Sequence, residues 1–196
     1  QYHLPEHFPD EVLEDARQCV RNYNPKKAFT GRENLQNEVI ITIDPDDARD
    51  FDDAISIRSA RGGGFELGVH IADVSYFVRP NKPLDKEAHK RANSVYLPQQ
   101  VIPMLPEILS NGLCSLQEGE PRLCKSVFIQ YDKSGHRKST RFANSVIQST
   151  KRLTYRQADR ILSGDTEDYP EAVIELLKKM ERLARLIQKR RLSQGM

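Results

Sequence analysis

Several short runs along the chain are apolar, and the run at 65–71 alternates between apolar and polar positions with a period of two. The runs at 39–43, 54–57 and 65–71 are rich in Val, Ile and Phe, which is typical of strands. Two further runs, 123–131 and 137–148, flank an Asp- and Gly-containing turn and predict a β-hairpin. The pattern therefore predicts a sheet in which the first three strands follow one another in quick succession.

A period of three to four residues marks the predicted helices. It predicts a short helix over 9–21 and two helices in the last third of the chain, over 154–162 and 170–192. Six of the eleven prolines fall between residues 80 and 121. Because proline fixes its own φ and donates no backbone hydrogen bond, we expect an ordered loop system there, with one helix around 85–93.

Composition places these elements in one soluble domain. The chain has 196 residues, 38% of them hydrophobic, and 30 Lys and Arg against 28 Asp and Glu, which is enough chain for a core and too balanced a charge for a disordered tail. We predict an α+β fold, a mainly antiparallel sheet with surrounding helices. Residues 1–37 are expected to form a lead-in linker with a short helix, and residues 38–196 the domain itself.

The chain lacks the marks of a secreted or membrane protein. Its apolar runs are far shorter than the roughly 18 residues of a membrane helix, so we expect no membrane partner. The start at Gln1 has no signal-peptide pattern, and we expect the chain to be an internal piece of a longer protein. Three cysteines without a C-x-x-C pair suggest neither disulfides nor zinc, and fit a reducing cytoplasm.

One segment concentrates charge between two predicted strands. Residues 44–53 hold six aspartates, and carboxylates brought together raise one another's pKa unless a cation offsets their charge. A solvated acidic loop is the alternative, but Phe51 suggests that part of the segment turns inward. A calcium EF-hand does not fit, because Arg49 and Ile55 stand where Gly and Glu are needed. Oxygen ligands favour magnesium, or manganese.

Hard cations held by carboxylates suit phosphoryl chemistry, since two such ions can activate a water and stabilise a leaving oxygen. A nucleic-acid substrate would in addition need basic side chains elsewhere in the chain to bind its phosphates. Residues 133–160 hold eight basic residues and one acidic residue, and Tyr96, Tyr155 and His136 offer faces on which bases stack. Solvated basic surface is the alternative interpretation of this stretch.

These residues resemble a known family, the RNB catalytic domain of ribonuclease II, ribonuclease R and the exosome's catalytic subunit. The D-x5-D-x-D-D spacing of the acidic segment matches throughout, and the style is closest to the bacterial ribonuclease R members. The matching segments are IDPDDARDFDDA (43–54), HIADVSY (70–76), SVYLP (94–98), IPMLP (102–106), LSNGLCSL (109–116) and RLTY (152–155).

The resemblance implies a processive, magnesium-dependent 3′–5′ exoribonuclease that degrades single-stranded RNA to nucleoside 5′-monophosphates. It assigns three aspartates to the metal site, namely Asp44, Asp50 and Asp53. Asp52 matches the aspartate most directly tied to hydrolysis. Tyr96 matches the aromatic residue that stacks on the 3′-terminal nucleotides, and Tyr155 a residue near the sugars that helps to select RNA.

The resemblance covers only the first half of such a domain. The family's later motif, with arginines that clamp phosphate, has no counterpart in the chain, and flanking cold-shock and S1 domains are expected in the parent protein. The piece alone is therefore expected to bind without turnover. The alternative function is a non-catalytic RNA-binding module or an inert fragment, although family members that have lost catalysis lack the aspartates present here.

Overall fold

A seven-stranded mixed sheet forms the centre of the computed structural model, which describes residues 5–98 and 100–195. Its strand order is β1-β8-β7-β4-β3-β2-β9, and β5 and β6 form a separate hairpin. The strands are β1 (Glu33–Leu35), β2 (Ile41–Asp44), β3 (Asp53–Ala60), β4 (Gly64–Ala72), β5 (Val95–Leu97), β6 (Gln100–Ile102), β7 (Pro121–Tyr131), β8 (Arg137–Gln148) and β9 (Lys151–Thr154). The four inner pairings are antiparallel.

Within the described residues, six α-helices surround the sheet: α1 (Asp10–Arg21), α2 (Pro25–Phe29), α3 (Val74–Phe77), α4 (Pro83–Arg91), α5 (Tyr155–Leu162) and α6 (Glu171–Ser193). A 3-10 turn over Arg61–Gly63 and a π-helical turn over Ile108–Leu113 complete the elements. The α+β prediction with a mainly antiparallel sheet is confirmed, as are the hairpin β7–β8 and the helices α1, α4, α5 and α6.

The two outermost strands were not predicted, and both are parallel to their neighbours. β1 pairs with β8, and β9 pairs with β2. Each has only three or four residues, which is too short for a period of two to be visible. β9 follows β8 after two residues and crosses to the opposite edge of the sheet, where it lies beside β2.

Two separate apolar cores pack against the sheet. One core includes Val12 and Ala16 of α1 and Leu84 of α4. The other packs α5 and α6 on the half of the sheet around β2 and β3, with Ile161 and Leu183 almost fully buried. The acidic segment lies where both cores end, because Phe51 packs against the first and Ile43 against the second.

The lead-in segment packs closely on the sheet. Arg32 donates to the Asp73 carboxylate at 2.6 Å and also to the Ala28 carbonyl oxygen, and both charged side chains are nearly buried. The domain boundary predicted at residue 37 stays a prediction, and residues 1–4 lie outside the described residues. Across residues 5–98 and 100–195, no helix has the length and apolar character required to cross a bilayer.

Candidate active site

Three neighbouring strands, β3, β2 and β9, have the predicted site residues at the same end of the sheet. Asp44 is the last residue of β2, and Asp53 is the first residue of its antiparallel neighbour β3. β9 runs parallel to β2 with Thr154 opposite Asp44, so Tyr155, the next residue, emerges at the same edge. Asp50 and Asp52 lie in the connection between β2 and β3. The acidic loop, defined as residues 44–53, is thus anchored by a strand at each end.

Hydrogen bonds fix the backbone of the acidic loop. The fully buried hydroxyl group of Ser115 accepts from the Phe51 N–H at 3.2 Å and donates to the Arg49 carbonyl oxygen at 2.8 Å. It therefore holds the residues on both sides of Asp50. The Ala72 N–H donates to the Asp52 carbonyl oxygen at 2.9 Å, which ties the loop to the end of β4.

The carboxylates of the loop are less well satisfied than its backbone. Asp44 Oδ2 is buried without a hydrogen-bond partner. Burial raises the pKa of Asp44, and repulsion from Asp53 adds to the rise, while the positive charge of Arg152 opposes it. Asp52 is exposed as a residue, yet the surrounding protein displaces enough water from its carboxyl group to raise its pKa, and repulsion from Asp50 and Asp53 raises it further.

Positive charge reaches the loop without neutralising these carboxylates. Arg152 donates to the carbonyl oxygens of Pro45 and Asp46, and its guanidinium lies 5.3 Å from the centre of the Phe51 ring. Arg156 pairs with the exposed Asp46 carboxylate at 3.5 Å. Within the described part of the chain, no ion pair involves any of the four aspartates predicted for the site, which are Asp44, Asp50, Asp52 and Asp53.

The donor set suits a hard divalent cation. It consists of carboxylate oxygens, one of them buried and unpaired, and their mutual repulsion is the kind that a cation relieves. The spacing does not enclose an ion, because no three Asp, Glu, His or Cys side chains among residues 5–98 and 100–195 form a metal-binding group. The residues therefore fit magnesium or manganese by chemistry, and the roles predicted for Asp44, Asp50 and Asp53 stay predictions.

Both predicted RNA-contacting tyrosines are exposed residues, Tyr96 by 64% and Tyr155 by 62%. The Tyr96 hydroxyl group donates to Asp50 Oδ2 at 2.8 Å, and this hydrogen bond is the main reason why the pKa of Tyr96 is raised. A groove of about 380 Å³ lies beside Tyr96 and Asp50 and is also lined by Ser110 and Asn111 of the π-helical turn. Its size is within the range of small-molecule sites.

The basic residues of 133–160 do not form one track. Lys138 and Arg141 on β8 pair with Asp132 and Glu33. Of the described basic residues in 133–160, only Arg152 hydrogen-bonds to the backbone of the acidic loop. The stretch is therefore mostly paired surface rather than a continuous phosphate path.

Sequence reasoning assigned no role to Ser115, to Arg152 as a holder of the loop, or to the contact between Tyr96 and Asp50. Ser115 and Arg152 lie within the segments 109–116 and 152–155 that carry the family resemblance, and that membership is the available signal for them. Spacing gives none, because Ser115 lies 66 residues from Arg49 and Tyr96 lies 46 residues from Asp50.

Comparisons with known proteins agree on the family. The model of the RNB domain family matches residues 32–196. Ribonuclease R of Escherichia coli strain K12 is 47% identical over 185 residues, which are 94% of this chain and 22% of that protein. The chain thus spans less than a quarter of the length of this relative.

Comparison with solved structures indicates the same family. RNase R of Mycoplasma genitalium in complex with double-stranded RNA matches with a TM-score of 0.90 at 34% identity, covering 96% of this chain and 33% of that chain. The same protein in complex with ribose-methylated single-stranded RNA also matches with a TM-score of 0.90, covering 29% of that chain. Yeast Ssd1, described as a pseudonuclease, matches with a TM-score of 0.72 at 25% identity, and the match covers 95% of this chain and 25% of that chain. Since the family model covers well over half of its residues, this chain belongs to the RNB domain family.

Proposed function

We propose that this chain supplies the carboxylates and part of the RNA-binding surface of a hydrolytic 3′–5′ exoribonuclease. The proposed substrate is single-stranded RNA, degraded processively to nucleoside 5′-monophosphates with Mg²⁺, or with Mn²⁺ in its place. The observation that carries the proposal is the acidic loop, where four aspartates meet at one sheet edge without an ion pair among the described residues and Asp44 keeps a buried, unpartnered oxygen.

The loop residues divide the chemistry between them. Asp44, Asp50 and Asp53 would hold the cation, which, when bound, polarises the phosphodiester and activates water. Asp52 lies between the proposed ligands Asp50 and Asp53, and its carboxylate would take a proton from the attacking water. The Ser115 hydroxyl group and the Ala72 N–H hold the backbone of this segment in place, which reduces the motion that the reaction would otherwise have to restrict.

The two exposed tyrosines supply the RNA contacts in this proposal. Tyr96 borders the groove and offers a face for the 3′-terminal bases, and Tyr155 follows the strand end opposite Asp44, where the sugars would pass. Base stacking is independent of sequence, which suits an enzyme that degrades any RNA. A relative, RNase R of Mycoplasma genitalium, has been solved with RNA bound.

The activity belongs to the natural protein that contains these 196 residues, since its relatives are several times longer. We propose that flanking cold-shock and S1 domains deliver RNA to the site and that the protein acts in the cytoplasm. Arginines that stabilise phosphoryl charge are expected outside residues 1–196, so the chain alone binds metal and RNA without turnover.

The test is degradation of a long single-stranded RNA by that natural protein, with the released nucleotides identified by chromatography. Asp52→Asn should lower kcat by about 10²–10⁴-fold, the usual contribution of a general acid or base, with RNA affinity nearly unchanged. Asp46→Asn is the matched control, because it removes an exposed carboxylate of the same loop. Equal losses of affinity and rate in Asp52→Asn would remove Asp52 from the catalytic role.

A non-catalytic RNA-binding protein is the second candidate. It is favoured by the match to a yeast pseudonuclease and by the spacing of the carboxylates, which does not enclose an ion among the described residues. The same assay separates the two functions. RNA bound by the natural protein without release of nucleoside 5′-monophosphates, at any concentration of Mg²⁺ or Mn²⁺, would establish the binding module.

A further inference from the structure

Tyr96 joins two parts of the site that the proposed function treats separately. Its ring is exposed beside the groove, on the hairpin β5–β6, while its hydroxyl group donates to Asp50 Oδ2 at 2.8 Å. The ring is therefore available to a base at the same time as the hydroxyl group holds a carboxylate proposed to bind metal. One side chain can therefore contact both an RNA base and the carboxylate of Asp50.

The hydrogen bond from Tyr96 matters more for the carboxylate of Asp50 than for the rest of the acidic loop. Its backbone is fixed by the Ser115 hydroxyl group, which bonds to the residues on either side of it. The orientation of its carboxylate is set by Tyr96, since no ion pair or second side-chain hydrogen bond to Asp50 occurs among the described residues. Removing the Tyr96 hydroxyl group should therefore release the carboxylate and leave the loop backbone in place.

The hydrogen bond leaves room for a cation on the same carboxylate. A carboxylate offers about four lone-pair positions on two oxygens, and the tyrosine occupies one of them on Oδ2. Carboxylates that ligate metals are commonly oriented by an outer hydrogen-bond donor of this kind, whose loss costs about 10–100-fold in metal affinity.

We propose that Tyr96 is a positioning residue for Asp50, holding its carboxylate for the divalent cation, and that it thereby couples metal binding to stacking of the RNA 3′ end. This inference rests on the proposed function. A base stacked on the ring restrains the tyrosine and therefore the hydrogen bond, so RNA should tighten metal binding and metal should tighten RNA binding by the same factor.

The experiment titrates Mn²⁺ into the natural protein, with the melting temperature as the readout, in the presence and absence of a short RNA that is not cleaved because its riboses are methylated. Tyr96→Phe keeps the ring and removes the hydroxyl group. It should raise the half-saturating Mn²⁺ concentration about 10-fold, the lower end of the usual range because Tyr96 is exposed, and should abolish the effect of RNA on that concentration. RNA affinity without metal should stay as in the parent.

Two further variants separate orientation from stacking. Tyr96→Ala should weaken Mn²⁺ binding as Tyr96→Phe does, and should also weaken RNA binding without metal and end degradation at a longer final product, because a stacked base is worth about 1–3 kcal/mol. Tyr169→Phe is the matched control, since it removes the hydroxyl group of a tyrosine that packs against the core on the α6 side of the sheet. It should leave the Mn²⁺ titration unchanged.

The inference is overturned if Tyr96→Phe and Tyr169→Phe give the same Mn²⁺ titration as the parent. It is also overturned if Tyr96→Phe binds Mn²⁺ more tightly, because the hydroxyl group would then be holding Asp50 away from the cation. A parent protein that neither responds to metal nor degrades RNA would remove the proposed function and this inference together. A metal-responsive nuclease that is indifferent to Tyr96→Phe would remove the inference alone.

Discussion

Two polar clusters lie in the same sheet and differ in how completely they are satisfied. The serine–histidine chain, defined as Ser56, His70, Ser126 and Ser145, crosses β3, β4, β7 and β8. His70 Nε2 lies 3.0 Å from Ser56 Oγ and Nδ1 lies 2.7 Å from Ser126 Oγ, which in turn bonds to Ser145 Oγ. The acidic loop, by contrast, keeps a buried carboxylate oxygen without a partner.

The difference separates a structural cluster from a functional one. Buried polar groups that bond to one another stabilise a single arrangement, whereas an unpaired buried group costs free energy until a water, an ion or a ligand satisfies it. Gly68 supports the first cluster, since a Cβ at this position would collide with the Ser56 hydroxyl group. The serine–histidine chain should therefore respond to mutation through folding, and the acidic loop through ligand binding.

The largest expected effect on stability is that of His70→Ala. The substitution removes the partner of the Ser56 hydroxyl group and one of the two partners of Ser126, and it opens a cavity in the sheet; together these cost about 3–5 kcal/mol. Urea unfolding followed by circular dichroism measures the loss. Phe142→Ala is the control, because Phe142 is 80% exposed. A loss below about 1 kcal/mol in His70→Ala would contradict the structural role.

Acid should act on the two clusters in opposite directions. Burial lowers the pKa of His70 from 6.5 to about 4, so the neutral form stabilises the fold above pH 6.5 and about 3 kcal/mol is lost as the pH falls towards 4. Asp44 and Asp52 have raised pKa values, so their protonation adds stability as the pH falls. Urea unfolding between neutral pH and pH 4 should show a net loss.

Two variants separate these contributions. His70→Ala should flatten the acid loss, since no histidine remains to be charged at that position. Asp44→Asn should steepen it, because the gain from protonating Asp44 disappears. A parent whose stability does not change between neutral pH and pH 4, with both variants parallel to it, would show that neither cluster controls the acid response.

Metal should stabilise the acidic loop and leave the serine–histidine chain unaffected. At 100 times the dissociation constant, binding adds about 2.7 kcal/mol to the free energy of unfolding, which for a chain of this size raises Tm by about 5–10 °C. Asp44→Asn combined with Asp53→Asn should abolish the rise produced by Mg²⁺ or Mn²⁺. His70→Ala should lower Tm but keep the rise. A rise that survives the double substitution would place the cation elsewhere.

The sequence predicted those elements of the fold that depend on hydrophobic periodicity and on local turn chemistry. The hairpin β7–β8 follows from two runs that flank an Asp- and Gly-containing turn, and α6 follows from a long apolar stripe. The edge strands β1 and β9 could not be predicted, because a parallel pairing of three or four residues depends on neighbours distant in sequence.

The same limit applies to the site. The spacing of aspartates in residues 44–53 indicated a metal-binding segment, and the structure places these aspartates together at one sheet edge. Spacing did not indicate the hydroxyl group of Ser115 or the hydrogen bond from Tyr96 to Asp50, because both join residues far apart in sequence. Long-range hydrogen bonds of single side chains leave no local pattern, so these contacts needed coordinates.

The smallest expected effect distinguishes the backbone of the acidic loop from its carboxylates. Ser115→Ala removes the hydroxyl group that bonds to Phe51 and Arg49, and the buried N–H and carbonyl groups left behind should cost about 1–3 kcal/mol of stability. Because the loop around Asp50 then moves more freely, the rise of Tm with Mn²⁺ should also shrink, which the Phe142→Ala control should not show. Ser115→Thr keeps the hydroxyl group and should retain most of the metal response, although its extra methyl group strains a fully buried position. If Ser115→Ala lowered Tm but kept the full metal response, the backbone of the loop would belong with the serine–histidine chain as a purely structural element, and only the carboxylates would define the functional cluster.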